Sequence, residues 1–190
     1  MRSREIVEII ADVVKRTSED CNITLYGFNG ESSEITCPEI NYTFGNTQYV
    51  KDKLDVMSKS ASTRIMKFPM IALFCPFKEQ RNSPDFYTKA KVNVLIACSS
   101  DKKWENERRL QTSFICILRP IYNRFIEALK EDGRLDFGYE NMVKHEYSEN
   151  YSYGRYGAFT ATGEEVSEPI DAINISNLEL TVKNPNCRIQ

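Results

Sequence analysis

The residue types that most often carry chemistry are few in this chain. His145 is the only histidine among 190 residues, so a two-histidine metal site cannot be built, and any histidine-activated nucleophile must use this ring. His145 lies in a polar stretch beside Glu146. A surface histidine near a carboxylate is the more common arrangement there, because a general base also needs an aligned nucleophile. We expect a surface histidine and keep a Cys–His145 site as the enzymatic alternative.

The cysteines and carboxylates show no catalytic spacing. No two cysteines stand at C-x-x-C spacing, which argues against zinc and thioredoxin-like sites and favours reduced, mostly buried thiols. Glu140 and the pair Glu164-Glu165 could serve as acid and base, but a solvated acidic face is more common. Glycine-rich phosphate loops and the Gly-x-Ser-x-Gly elbow are missing from the sequence. We therefore predict no catalytic residue, no cofactor and no metal. The six cysteines are Cys21, Cys37, Cys75, Cys98, Cys116 and Cys187.

The segment ENYSYGRYGAF, residues 149–159, is unusually aromatic. Tyrosines and an arginine near glycines can stack on bases, but such sites also need a positive groove for phosphates. Residues 131–171 hold ten acidic and three basic residues, a net charge of −7. That sign argues against direct sequence-specific binding of nucleic acid.

Two interpretations of the aromatic segment stay open. Its tyrosines could cover the domain's own core, or they could form a protein interface, because tyrosine and arginine anchor such contacts. The acidic bias would then suit a basic surface on another copy or another protein. The candidate interaction residues are Tyr151, Tyr153, Arg155, Tyr156 and Phe159.

The first third of the chain predicts a helix, a strand and a long excursion. Apolar residues from Ile6 to Val14 recur at three- and four-residue spacing, which indicates an amphipathic helix and not a secretion signal; Ser3 could cap it. Residues 23–27 alternate as a short strand, and residues 29–45 suggest a polar loop. A second helix is expected over 47–59. Asn46 or Thr47 would cap it, and Val50, Leu54 and Met57 would face inward.

The middle of the chain predicts two buried strands and a long helix. The apolar run at residues 70–75 ends at Pro76 and suggests a buried strand, followed by a polar loop over 77–88. Residues 89–98 suggest a central strand. An apolar stripe from Leu110 to Leu129 then predicts a long helix that Pro120 should kink and that Asp132-Gly133 should end.

The last element predicts a strand with a bulge. In residues 172–182, Ile173 and Ile175 share one parity and Leu178, Leu180 and Val182 the other. A β-bulge near Ser176-Asn177 would return all five to the core face. Together these elements predict one α+β domain over 1–190, with insertions at about 29–67 and 134–171. Its small mixed, mainly antiparallel sheet would be packed by the N-terminal helix and the long kinked central helix.

The bulk composition is that of an ordinary globular chain. Formal net charge is −2 and the apolar fraction is 41%, so no global field favours nucleic acid or anionic lipid. No apolar run approaches the ~20 residues of a membrane-spanning helix. We expect no membrane partner.

The order of these elements resembles the tail-completion, or tail-terminator-like, proteins of tailed bacteriophages, with versions from phages and prophages of Bacteroides-type bacteria the most similar. Four features carry the resemblance. They are Phe68-Pro69 before an apolar strand, Trp104-Glu105 opening a helix with Arg108, Arg119-Pro120 followed by Phe125 and Leu129, and a closing strand from Ile173 to Cys187.

The resemblance implies a function. The chain would be a structural virion subunit without catalysis, assembled in the cytoplasm of the bacterial host. Copies of it would form a ring in the neck, the head–tail connector, through contacts with itself and with portal, adjacent neck-ring or tail proteins. The alternative is a cytoplasmic interaction or regulatory module of similar α+β fold, and an enzyme is the third possibility.

Overall fold

The chain folds as an α+β protein with one five-stranded mixed sheet and a separate β-hairpin. The structure, a computed structural model, describes residues 5–26, 31–81, 88–156 and 168–183. In chain order its elements are α1 (Ile6–Glu19), β1 (Asn22–Tyr26), β2 (Ser32–Thr36), β3 (Asn41–Gly45), α2 (Thr47–Ser58), α3 (Ala61–Arg64), β4 (Met70–Arg81), β5 (Thr88–Ser99), α4 (Asn106–Arg109), a π-helical segment (Leu110–Leu118), α5 (Arg119–Glu131), β6 (Glu146–Tyr156) and β7 (Glu168–Val182).

Helix α1 forms where the apolar spacing predicts it. Ile6, Ile9, Ile10, Val13 and Val14 are all buried on one face, as expected for residues three and four apart. Glu5 occupies the N-cap position without a side-chain hydrogen bond, and the expected cap, Ser3, lies outside the described residues.

The main sheet has the strand order β3-β4-β5-β7-β6. Strand β3 runs parallel to β4, and the other three neighbouring pairs are antiparallel. The α1 and α5 helices cover one face of the sheet, where Ile71, Ile96 and Ile173 join the larger core. On the opposite face, α2 contributes Val50 and Leu54 to a smaller core.

The prediction that the apolar strand ends at Pro76 is wrong. Strand β4 continues to Arg81, and residues Lys78–Arg81 pair with β5. The pairing register shifts between Phe74 and Lys78, so Pro76 lies at an irregularity where a missing backbone N–H removes no ladder bond. Residues 77–81 of the polar loop expected over 77–88 therefore belong to β4, and residue 88 belongs to β5.

The polar loop expected over 29–45 is also wrong, because two strands lie there. Strand β2 pairs with β1, and β3 pairs with β4 from Asn41↔Met70 to Gly45↔Phe74. Strand β3 is short and alternates polar with aromatic residues, which leaves little apolar signal. Helix α2 follows as predicted, and the Asn46 side chain accepts a hydrogen bond from the Tyr49 amide at its start.

The central helix runs from residue 106 to residue 131 as α4, the π-helical segment and α5, and it is kinked as expected. Pro120 lacks the N–H that would bond the carbonyl of Cys116. Immediately before it, the Arg119 amide bonds the carbonyl of Phe114, five residues back. A π-helical turn therefore absorbs the proline within one continuous helix.

The predicted bulge in the closing strand is confirmed. Val92 pairs with Leu178 and Val94 with Ile175, so β7 has one residue more than β5 between these pairs. Asn177 has φ 53°, and its amide bonds the Asn93 side chain at 3.0 Å. Because of this extra residue, the side chains before and after the bulge point to the same face of the sheet. The apolar residues on both sides of it are buried in the larger core: Ile173, Ile175, Leu178, Leu180 and Val182.

Candidate protein interaction surface

Within the described part of the chain, β6 is an edge strand of the sheet, and one side of its backbone has no neighbouring strand. The carbonyl of Lys144, two residues before β6, accepts from the amide of Glu179 in β7, so even-numbered residues at the start of β6 direct their backbone groups toward β7. Tyr147 and Glu149 direct theirs outward. Among the described residues no strand lies beyond β6, and such an edge can accept another strand.

Four alternating side chains, one directly before β6 and three on it, form what we call the β6 ladder: His145, Tyr147, Glu149 and Tyr151. Arg119 of α5 donates to the Glu149 carboxylate from Nε at 2.7 Å and from Nη2 at 3.1 Å. The hydroxyl of Tyr147 donates to the same carboxylate. These bonds tie the edge strand to the central helix.

The ladder's ionisable groups are shifted by this pairing. The Arg119 guanidinium, helped by Tyr147, holds the pKa of Glu149 below its ordinary value of 4.5, although partial burial opposes the shift. Burial, and then the hydrogen bond to Glu149, raises the pKa of Tyr147. Glu149 is thus an ionised acceptor and Tyr147 a neutral donor across the physiological range.

His145 serves the ladder as a hydrogen-bonding member. Its Nδ1 lies 2.8 Å from the Val143 carbonyl and its Nε2 lies 2.7 Å from the Tyr122 hydroxyl. A carbonyl can only accept, so in the neutral ring Nδ1 donates and Nε2 accepts from Tyr122. Both nitrogens therefore have partners within the described part of the chain, and neither partner is a cysteine. The Tyr122 ring also packs edge-on against Tyr147, with centroids 4.8 Å apart.

A buried ion pair anchors β6 where the strand becomes irregular. Asp171 of β7 is fully buried and accepts from Arg109 and from Ser113 of the central helix, each at 2.8 Å. It also accepts from the Ser152 amide at 2.8 Å. Ser152 has φ 55° within the register shift between Asn150 and Gly154. The anchor fixes this bulge against the helix.

The thiol of Cys98 interacts with Asp171 and Ser113 and is not activated as a nucleophile. Burial, and then the charge of Asp171, raises the pKa of Cys98 to about 12. A protonated, enclosed thiol is a poor nucleophile, so Cys98 contributes packing to this region.

The five predicted interaction residues are placed to different degrees. Tyr151 is half-buried and packs on Phe114 with ring centroids 4.3 Å apart, so its ring contributes to the core beside the edge. Tyr153, Arg155 and Tyr156 belong to the backbone of β6, with Arg155 opposite Pro169 and Tyr156 opposite Glu168. Phe159 lies outside the described residues.

The other edge of the sheet is β3, which sequence reasoning missed. The Asn41 amide bonds the Pro69 carbonyl, so Asn41, Thr43 and Gly45 face β4 and the backbone groups of Tyr42 and Phe44 point outward. Lys53 of α2 donates to the outward carbonyl of Tyr42 at 3.2 Å. Two features of the sequence could have predicted β3. They are the alternation of polar and aromatic residues over 41–45 and the helix cap Asn46 directly after it.

A groove lies beside the β3 edge. Its volume is about 510 Å³, and it separates α1 from the chain that follows α2 and α3. The lining is mostly apolar and includes Val14, Ile40, Tyr42, Met57, Ile65 and Met66. Ile65 and Met66 are exposed by 80% and 58%, so apolar surface continues outward from the groove.

The two edges are joined by rows of paired residues across the sheet. One row runs Phe44–Leu73–Val94–Ile175–Tyr147. Its three inner members are buried in the larger core, whereas Phe44 is 49% and Tyr147 42% exposed. The next row runs Tyr42–Ile71–Ile96–Ile173–Glu149. Each edge therefore presents the end of the same two rows.

Within the described ranges, no group of three or more histidine, cysteine, aspartate or glutamate residues could hold a metal ion. Of the helices in those same ranges, none combines the length and the apolar character that crossing a membrane requires.

No protein-family model matches the chain, and no curated protein matches its sequence significantly.

Proposed function

We propose that this chain is a structural subunit of a tailed-phage virion, forming a ring in the neck between head and tail through protein–protein contacts. The observation that carries the proposal is that, among the described residues, neither edge of the sheet has a further strand beside it and both edges carry an exposed aromatic ring. Exposed Phe44 stands on one edge and exposed Tyr147 on the other. An open edge with exposed aromatic side chains is suited to adding a strand from another chain.

The arrangement of the helices supports an interaction role. Helices cover both faces of the sheet. The edge strands β3 and β6 are therefore the parts of the sheet that another chain could contact. The β6 ladder fixes one edge before any partner arrives, because Arg119 and Tyr122 hold Glu149 and His145 in place. Pre-organised surfaces bind with a smaller loss of conformational entropy.

The α+β architecture is the one that the sequence resemblance implies. In this proposal the partners are further copies of the chain, the portal, and adjacent neck or tail proteins. The site of action is the neck of the virion, and assembly takes place in the bacterial cytoplasm.

Electron microscopy of the purified chain, alone and mixed with the portal protein of the same phage or prophage, tests the proposal. We expect rings with rotational symmetry, either from the chain alone or on the portal. A particle that stays monomeric under both conditions would contradict the proposal and favour the regulatory-module alternative.

A further inference from the structure

The two open edges of the sheet match each other in direction. Strand β3 is parallel to β4, and each of the next three pairings is antiparallel. Strand β6 therefore runs antiparallel to β3 within one subunit. If the sheet continued from one subunit to the next with the same sense, β6 of one copy would meet β3 of its neighbour as an antiparallel pair.

The edges also match in register. Continuing the two rows across such a junction places Tyr147 opposite Phe44 and Glu149 opposite Tyr42. The step from Tyr147 to Glu149 goes two residues forward along β6, and the matching step from Phe44 to Tyr42 goes two residues back along β3. Antiparallel pairing requires this relation. One alignment thus extends both rows.

The hydrogen-bonding groups coincide at these same positions. Tyr147 and Glu149 direct their backbone groups away from β7, and Tyr42 and Phe44 direct theirs away from β4. Every pair in the alignment therefore joins two outward-facing residues, which is the hydrogen-bonded type of antiparallel pair. Lys53 occupies one lone pair of the Tyr42 carbonyl, and the second remains for the Glu149 amide.

Charge and apolar surface complete the match. The helices beside β3, residues 47–64, hold four basic and two acidic residues, a net charge of +2. Around the start of β6, residues 136–150 hold four acidic residues and one lysine, a net charge of −3. The contact between two copies would bury the exposed rings of Phe44 and Tyr147 between surfaces of opposite charge.

We propose that a second copy of this chain is the partner of each edge, with β6 of one subunit pairing antiparallel to β3 of the next in the register Tyr147↔Phe44 and Glu149↔Tyr42. This inference rests on the proposed function. The contact is heterologous, since the two surfaces differ, and so it propagates head to tail until a ring closes.

Cysteine cross-linking tests the register directly. Phe44→Cys and Tyr147→Cys are introduced together in one chain, which is then oxidised with diamide and run on a non-reducing gel. We expect a ladder of covalent dimers, trimers and larger species, because each subunit offers both halves of the pair. The controls are the parent chain with its six native cysteines and the Phe44→Cys, Tyr139→Cys chain, whose second cysteine replaces a fully exposed tyrosine outside β6.

Each outcome decides the inference. Dimers formed by Tyr147→Cys alone would show that β6 pairs with itself, and would overturn the heterologous contact. Rings that give no ladder beyond the controls would overturn the register and leave the proposed function standing. A monomer that forms no ring, even with the portal protein, would overturn both.

A substitution at the β3 edge provides a second test that needs no double variant. Phe44→Lys places a charge at the centre of the contact, and edge lysines oppose strand pairing. We expect the concentration needed for assembly to rise about tenfold or more, a loss of about 1.4 kcal/mol in association. Leu25→Lys, at a 40% exposed position of the separate β-hairpin, is the matched control and should change it less than about twofold. Equal effects of the two variants would overturn the inference.

Discussion

The two edges of the main sheet are built in opposite ways. Strand β6 has eleven residues, and the central helix fixes it through the β6 ladder and the Asp171 anchor. Strand β3 has five residues and borders an apolar groove, and Lys53 of α2 donates a hydrogen bond to its outward carbonyl at Tyr42. The comparison teaches that one edge of a sheet can be fixed by side-chain bonds to a helix, while the other is a short strand that keeps an exposed aromatic ring, Phe44.

The largest effect is expected from the anchor of β6. Asp171→Ala would leave Arg109 buried without its carboxylate and would free the Ser152 amide. Removing one partner of a buried ion pair costs about 3–5 kcal/mol, which denaturant unfolding would measure. Ser113→Ala, which removes a single bond to the same carboxylate, is the milder control at about 1 kcal/mol. Comparable small losses in both variants would show that β6 does not depend on the anchor.

A smaller loss is expected where β3 meets α2. Gly45 has φ 147°, and a Cβ there would stand 2.7 Å from the Tyr49 ring. Gly45→Ala should therefore cost about 1–3 kcal/mol through backbone strain and the clash. Gly133→Ala is the control, because a Cβ at Gly133 would meet open space. Thermal unfolding of the two variants would measure the difference, and equal melting temperatures would rule out a constrained β3–α2 junction.

The Arg119–Glu149 pair predicts a pH dependence. Because the folded pKa of Glu149 lies below 4.5, its contribution to stability is fully present above pH 4.5 and is lost as the pH falls through the folded value. Glu149→Gln should cost about 1 kcal/mol at pH 7, and the cost should shrink at an acidic pH that protonates Glu149 in the folded state. Unfolding curves at both pH values would measure this, and a difference that stays constant between them would refute the ionic role.

The smallest effect is expected from Lys53. Burial lowers the pKa of its amine, and its hydrogen bond to the Tyr42 carbonyl can be replaced by water at the open edge. Lys53→Met should change the free energy of unfolding by no more than about 0.5 kcal/mol. A loss above 1 kcal/mol in chemical denaturation would mean that the Lys53 hydrogen bond stabilises the position of β3 and does not only occupy an edge carbonyl.

Strong apolar patterns could be interpreted from the sequence. The faces of α1 and the central helix, the cap at Asn46 and the bulge near Asn177 all follow from residue spacing. Elements with a weak apolar pattern could not be predicted from the sequence. Strand β3 holds one buried residue, Thr43, and its place in the sheet comes from pairing with β4, residues distant in sequence.

The candidate surface was only partly predictable for the same reason. The aromatic composition of 149–159 drew attention to β6, whereas its links to Arg119 and Asp171 depend on tertiary contacts. Cys75-Pro76 illustrates the opposite error, because a proline suggested the end of a strand that in fact continues through a register shift.

Residue-resolved hydrogen exchange at low and high protein concentration tests the central claim most directly. The amides of Tyr147 and Glu149 point away from β7, and that of Ser148 points toward it. The account predicts that the first two become protected only when subunits assemble, while Ser148 is protected at every concentration. Assembly that leaves the Tyr147 and Glu149 amides exchanging freely would contradict it.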